Sequence, residues 1–446
     1  GGPLEIHAAA AGRVNFACQQ NNVPLLRDLS LTNSGAEQLS DLTVEIASEP
    51  GFLKMRTWRV DRLAAGDQVH LDDRRVALDP GVLWELSEAV TARVVLRVLC
   101  GDQELGRCEH SVELLARNEW GGAAYMPEMV AAFVTPNDPA VDKILKKAAE
   151  GLQIAGLPAD LDGYQRGSPQ RAAHLIGAIW ASVGSLGLTY AHPPASFERT
   201  GQKVRTPSHV LDSGLATCLD LTLLFASCLE QAGLHPVVVF TRGHRFAGCW
   251  LQDEQFASVA VDDVTSLRKR IQLQEALFFE TTLATQQPLP KFRVAMKQAR
   301  EGLSEENDER FELAVDVRRA RMQRIRPIPT GREPVPTEES VSAPSREPGL
   351  DLDAFEDIPD ATVAPEPELL ETPTGRLDRW QRKLLDLSLR NRLLNFKPSK
   401  RSITIRCPEP GQLEDRLADG RKIQVTPSPK MIDEAQGRSA ELHRQE

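Results

Sequence analysis

Several things are missing from this sequence, and each absence narrows what the chain can be. No run of apolar residues is long enough to span a bilayer and no secretory signal pattern is present, so no membrane partner is expected. Cysteine is sparse: Cys18, Cys100, Cys108, Cys218, Cys228, Cys249 and Cys407 are seven among 446 residues, odd in number and dispersed. That disfavours a disulfide framework and predicts free thiols in a reducing cytoplasm. No Walker A motif occurs; Gly101, Gly106 and Arg107 lack the Lys and Ser/Thr of a phosphate loop, and a hairpin turn accounts for Gly101. Cys100, Cys108 and His110 have no second C-x-x-C pair beside them, so neither a metal nor a cofactor is expected.

The net charge of −10 is local. Residues 331–375 carry 12 acidic and 2 basic side chains, which is the whole of the excess. The same stretch holds eight prolines and few aromatics, so it reads as a disordered or semi-extended acidic linker. The rest of the chain is neutral overall, and its partners cannot be read from net charge.

At 446 residues the chain should hold two or three folded domains. It opens Gly1-Gly2 without methionine, as after removal of a leading segment, and reads as a piece of something longer. Residues 1–117 read as all-β. Val14 to Cys18, Leu29 to Thr32, Leu42 to Ile46 and Arg93 to Leu99 are strand-like, with turn signals at Asn33-Ser34-Gly35, Pro50-Gly51 and Gly66-Asp67. Short strands at this spacing suggest a β-sandwich. From Asn118 the character changes, with helical stretches at Asp138 to Lys147 and Arg171 to Leu186. Residues 291–326 read as helical and highly charged.

The centre of the chain is GLATCLDLTLLFASCLEQAGLHPVVVFTRGHRFAGCWL, Gly214 to Leu251. Thr217 can cap a helix whose first turn holds Cys218 and Asp220, and Gly233 stands where a left-handed stop belongs. Val237 to Phe240 fit a buried strand. Gly243 turns the chain, and His244, Phe246, Gly248 and Trp250 then share one strand face. A cysteine at a helix N-terminus feels the positive end of the dipole, and a histidine on a neighbouring strand can take its proton. Taken singly, Cys218 reads as a small buried hydrophobe and His244 as a hydrogen-bonded core histidine. Taken together, they point to thiol chemistry.

GLATCLDLTLLFASCLEQAGLHPVVVF followed by GHRFAGCWL resembles the core of the transglutaminase-like superfamily of papain-type cysteine proteases. The resemblance implies an α+β domain over residues 118–330, with Cys218 as nucleophile and His244 as general base. Ala216 stands where that family often has glycine, and Arg245-Phe246 replaces Ala-Trp. Gly201-Gln202-x-Val204-Arg205-x-Pro207 is similar to the segment that precedes the family's cysteine. It implies that Gln202 donates to an oxyanion beside the backbone N–H of Cys218, against the plainer reading of a surface loop glutamine. The orienting acid has two candidates. Glu280, in Leu277-Phe278-Phe279-Glu280-Thr281-Thr282, resembles the F-D-x-T strand that carries the superfamily's acid, with glutamate for aspartate. Asp262 and Asp263 lie nearer His244 in sequence, where capping a helix from Thr265 to Gln274 is their plainer role. Glu280 is preferred because a strand facing His244 fixes direction better than a loop does.

Two further resemblances frame this core. LSLTNSG…LSDLTVEI…RVDRLAAGDQVHL is similar to immunoglobulin-like modules that precede other domains in bacterial proteins; these space or bind, and no chemistry is expected there. WQRKLLDLSLRNRLLNF, opening residues 376–446, resembles the start of a domain of unknown function found before superfamily 1 helicase domains in large bacterial defence proteins, which commonly end in a nuclease-like domain. From Arg379 to Arg406 there are nine Lys/Arg against one Asp, a run that can touch DNA phosphates, while its leucine stripe suits docking on a downstream helicase domain. The sequence thus predicts a cysteine hydrolase, first a protease acting on protein or peptide. Amide transfer and deamidation use the same groups. The competing expectations are an inactive interaction module that recruits partners to a DNA-processing helicase, and nucleic-acid binding through the basic tail.

Overall fold

The computed structural model describes residues 4–192, 201–330 and 349–360, with the backbone of three short strands, Ile403–Arg406, Asp433–Glu434 and Gly437–Glu441. It is a multidomain chain of mixed helices and sheets, dividing into two compact units, Gly1–Pro365 and Glu366–Glu446. In the second unit Gly437–Glu441 pairs in parallel with Ile403–Arg406 and antiparallel with Asp433–Glu434. The basic run from Arg379 to Arg406 expected to touch DNA lies outside the described residues, but for the backbone of Ile403–Arg406. No helix among the described residues is long and apolar enough to cross a membrane.

The first unit begins with two sheets. Leu4–Ala10, Leu26–Asn33 and Gln68–His70 form a three-stranded sheet. Arg13–Val14, Gln103–Leu114, Val90–Cys100, Leu39–Glu49 and Arg56–Leu63 form a five-stranded one, in that spatial order. Period-2 alternation drives both. Leu42, Val44, Ile46, Val94, Leu96 and Val98 are all but fully buried and join Leu29 and Leu31 of the smaller sheet in one apolar cluster. The strand expected over Val14 to Cys18 stops at Val14. Asn15 accepts a hydrogen bond from Cys18 N at 2.8 Å and caps the short helix Phe16–Gln20 instead.

After Trp120 the chain builds a second five-stranded sheet, antiparallel throughout, in the order Ala260–Val261, Phe311–Asp316, Pro236–Thr241, His244–Trp250, Ala276–Phe279. The helix Cys218–Gln231 packs on one face of it: Leu219, Leu223 and Ala226 cluster with Val238 and Phe240, and Leu224, Phe225 and Cys228 with Ala247 and Cys249. Phe246, Trp250, Val237 and Val239 point the other way, towards Val264, Leu267 and Leu303. The helices Pro139–Ile154 and Pro169–Gly184 complete the core, each begun by a capping residue, Asp138 or Ser168, and a proline at its first position.

Two expectations are corrected here. Residues 291–326 are not one charged helical stretch: the helix Phe292–Gly302 is followed by the strand Phe311–Asp316, which pairs on both sides. Asp316, fully buried, ends that strand by accepting from Trp250 Nε1 at 3.0 Å, Phe256 N at 2.8 Å and Arg319 N at 2.8 Å. A linker reading over residues 331–375 does not extend to residues 349–360, where Phe355 is fully buried against the core.

Candidate active site

Cys218 is the first residue of the helix Cys218–Gln231. Thr217 caps it: its side-chain oxygen accepts from Asp220 N at 3.2 Å, and its own N–H donates to Asp220 Oδ2 at 2.9 Å, a reciprocal capping box. Asp220 is fully buried and would be costly there unpaired. Arg205 supplies the partner, its N–H donating to Oδ1 at 2.8 Å and its Nη1 to Oδ2 at 2.9 Å. The cap thereby ties the segment carrying Gln202 to the helix that presents the sulfur. Gln202 completes the tie, Nε2 donating to Thr217 Oγ1 at 3.1 Å. Gln202 is 5 % exposed, so the surface-loop reading of this residue is wrong.

His244 opens the strand His244–Trp250 after a two-residue turn through Arg242 and Gly243, where Gly243 adopts φ 76°. Its Nε2 hydrogen-bonds Glu280 Oε2 at 2.6 Å, the short distance of a charge-assisted pair. Cys218 also acts on this ring, and with Nε2 taken by Glu280, Nδ1 is the nitrogen left for the sulfur. Burial alone lowers the His244 pKa, but the hydrogen bonds to Cys218 and Glu280, and their charge, outweigh it and raise it to about 9. Burial raises Glu280, while His244 and Thr282 more than offset this and leave its carboxyl below the ordinary value. At neutral pH the pair is therefore imidazolium and carboxylate.

Glu280 directly follows the strand Ala276–Phe279. Its second oxygen, Oε1, accepts from Thr282 N at 2.9 Å and Thr282 Oγ1 at 2.8 Å. Its own N–H donates to Ala295 O at 3.0 Å. A second link joins acid and nucleophile: Thr222 Oγ1 donates to Cys218 O at 2.7 Å and lies 3.2 Å from Thr281 Oγ1. Asp262 and Asp263 are exposed, and neither meets His244. Asp263 caps the helix Val264–Gln272 through Thr265 N at 2.9 Å, and its hydrogen bonds with Thr265 and Ser266 hold its carboxyl below the ordinary value.

Arg205, Thr222 and Thr282 are supporting residues of the site in roles that sequence reasoning missed, and Asp220, read there only as part of a first helical turn, anchors the cap. The T-x-x-D spacing signals the Thr217–Asp220 box; nothing in the sequence signals the hydroxyl pairs. Arg245, 1 % exposed, is another. Its Nη1 donates to His244 O at 2.8 Å and Thr241 O at 3.1 Å, closing the turn that presents His244, and its guanidinium stands 5.0 Å from the Phe240 ring centre.

The sulfur lies deep and the ring reaches outward: Cys218 is 3 % exposed and the His244 side chain 30 %. The other thiols stand apart from this arrangement. Burial pushes Cys18 up to about 11 and raises Cys228 and Cys249 further, so those three are packing groups. Cys108 Sγ lies 3.3 Å from His110 Nε2, and no cluster of three metal-ligating side chains occurs among the described residues.

No curated protein matches the sequence. Over residues 383–446 the chain matches a family described as "Protein of unknown function (DUF4011)", a stretch that lies in the second unit and is separate in sequence from Cys218, His244 and Glu280.

Proposed function

We propose that this chain is a cysteine hydrolase of transglutaminase-like fold, most directly a protease, set behind an immunoglobulin-like domain in the N-terminal part of a bacterial helicase- and nuclease-type defence protein in the cytoplasm. The observation that carries the reading is the His244–Glu280 contact of 2.6 Å, beside a cysteine at a capped helix N-terminus whose interaction raises the His244 pKa. Base and orienting acid are in direct contact, and the nucleophile's charge and hydrogen bonding act on the same imidazole, which is the arrangement an activated thiol needs. The domain assignments rest on sequence resemblance, supported by two sheets over residues 4–114 and by the helix–strand–strand order of the core. The defence context, the downstream helicase partner and a DNA contact through residues 379–406 rest on the C-terminal resemblance.

The chemistry runs in two stages. Cys218 thiolate attacks the substrate carbonyl carbon, and the backbone N–H of Cys218 with the second amide hydrogen of Gln202 receives the oxyanion. The C–N bond breaks as His244 gives its proton to the leaving amine, leaving a thioester. Neutral His244 then takes a proton from water, whose oxygen attacks the thioester, and the acid leaves with the thiolate restored. Glu280 holds the ring in one tautomer throughout. An amine in place of water makes the same site a transferase; ammonia as leaving group makes it a deamidase.

A panel of unfolded proteins tests the reading by mass spectrometry of new amino termini. The wild-type chain should generate termini that Cys218→Ala and His244→Ala do not; the same termini from Cys218→Ala would remove the hydrolase. One observation favours a second reading, a fold kept as an inactive interaction module: Cys218 is 3 % exposed. That module would generate no termini and would lose no phenotype on Cys218→Ala.

A further inference from the structure

Residues 349–360 come from the acidic stretch, yet they are seated on the core. Phe355 is fully buried, Ile358 is 8 % exposed, and both belong to the apolar cluster that holds Trp180, Phe225, Phe279 and Phe292, with Leu350 packed at its edge. The receiving surface is shaped for them. Gly177 lies within the helix Pro169–Gly184, where alanine would favour the helix by about 1 kcal/mol. A Cβ at Gly177 would stand 2.6 Å from Phe355 Cζ and 3.1 Å from Leu350 Cδ1. The helix therefore carries a notch fitted to one aromatic ring. The polar groups match as well: Arg293 Nη2 donates to Asp351 Oδ1 at 3.0 Å and Asp353 Oδ2 at 2.8 Å, and Gln274 Nε2 to Asp357 O at 2.7 Å. Lys297 and Arg300 add positive charge along the groove.

The groove's other wall leads to the candidate site. It is the helix Phe292–Gly302, whose Ala295 carbonyl accepts the Glu280 N–H at 3.0 Å. The Phe292 ring stands 5.6 Å from Phe355 and 5.4 Å from Phe279, the residue before Glu280. Phe225, on the helix that begins at Cys218, is 5.2 Å from Phe279. We propose that this groove is a recognition site for an acidic peptide anchored by one phenylalanine, that residues 350–358 fill it in cis, and that its occupancy braces Glu280 against His244. Phe355 is thus a positioning residue, acting through Phe292 and Phe279. With the groove empty, the wall helix loses a packing face and the carboxylate loses its fixed reach to the imidazole.

The effect on the site rests on the hydrolase reading; the groove does not. The charged or titratable groups facing His244 are Glu280 and Cys218, with the Arg245 guanidinium on the adjoining turn. Iodoacetate reports their state, because its negative charge draws it to a cysteine beside an imidazolium. On the full chain, alkylation of Cys218 followed from about pH 5 to about pH 10 should fall as His244 loses its proton. Phe355→Ala and Gly177→Ala should each move that alkaline limb down by about one pH unit. A synthetic peptide of residues 349–360 should restore the limb in Phe355→Ala, whose notch is intact, and not in Gly177→Ala, whose notch is filled. Unchanged limbs in both variants, or a peptide that restores neither, overturn the bracing. If wild-type Cys218 shows no such limb, the hydrolase reading fails instead, and peptide binding decides the groove. Fluorescence anisotropy should then show the labelled peptide captured by Phe355→Ala and at least about tenfold more weakly by Gly177→Ala; equal binding, or none, overturns it.

Discussion

Glu280 spends both carboxylate oxygens on neighbours, Oε2 on His244 and Oε1 on Thr282, so the ring it holds has little rotational freedom. Glu280→Gln keeps the shape and removes the charge. It should lower turnover on the order of 10²-fold and move the alkaline limb of the activity profile from about 9 towards the ordinary histidine value of 6.5. The raised His244 pKa also acts on stability. The folded chain holds that proton more tightly than the unfolded chain does, so the contribution is complete below about pH 6.5 and disappears as pH rises through about 9. Thermal melts should show Tm falling across that window in the wild type and a flatter profile in His244→Ala; equal slopes would show that the pair contributes nothing to folding. At this scale much of the site is legible in the sequence. Thr217, Asp220 and Gly233 declare a helix start and stop locally, and Gly243 declares the turn before His244. Arg205 and Gln202 declare no partner by local pattern, because their partners lie 15 residues away across a fold that must first exist.

The helix Cys218–Gln231 shows how one cap can serve fold and chemistry together. Thr217→Ala removes the acceptor for Asp220 N and the anchor for Gln202 Nε2, and should cost about 1 kcal/mol in a urea melt. Thr217→Ser should recover most of that loss, since it keeps the hydroxyl. The strand Phe311–Asp316 shows the opposite limit. Leu313, Val317 and Ala320 fall at helical spacing while Phe311, Leu313 and Val315 alternate, so both periods fit and the sequence cannot choose. The choice is made by pairing with Pro236–Thr241 and Ala260–Val261, far away in the chain. Asp316 then fixes the strand's end, and Asp316→Ala strips acceptors from Trp250 Nε1, Phe256 N and Arg319 N. Denaturant unfolding should register a loss of about 3 kcal/mol; a loss near zero would mean these donors find other partners.

Across the whole molecule, composition is informative about long stretches and blind to short ones. Residues 331–375 average to a proline-rich acidic linker, yet Leu350, Phe355 and Ile358 within them meet a groove built from two helices far apart in the sequence, Pro169–Gly184 and Phe292–Gly302. Only the completed core presents the notch at Gly177, so no window of sequence can announce it. The same long reach brings Cys218, His244 and Glu280 together from a helix start, a strand start and a strand end. The measurement that bears most directly on that constellation is the rate at which iodoacetamide alkylates each cysteine of the intact chain at about pH 6, resolved residue by residue by mass spectrometry. Cys218, though buried, should react at least about tenfold faster than the exposed Cys100 and should lose that advantage in His244→Ala. A Cys218 that reacts no faster than Cys100, and is indifferent to the loss of His244, would contradict the account.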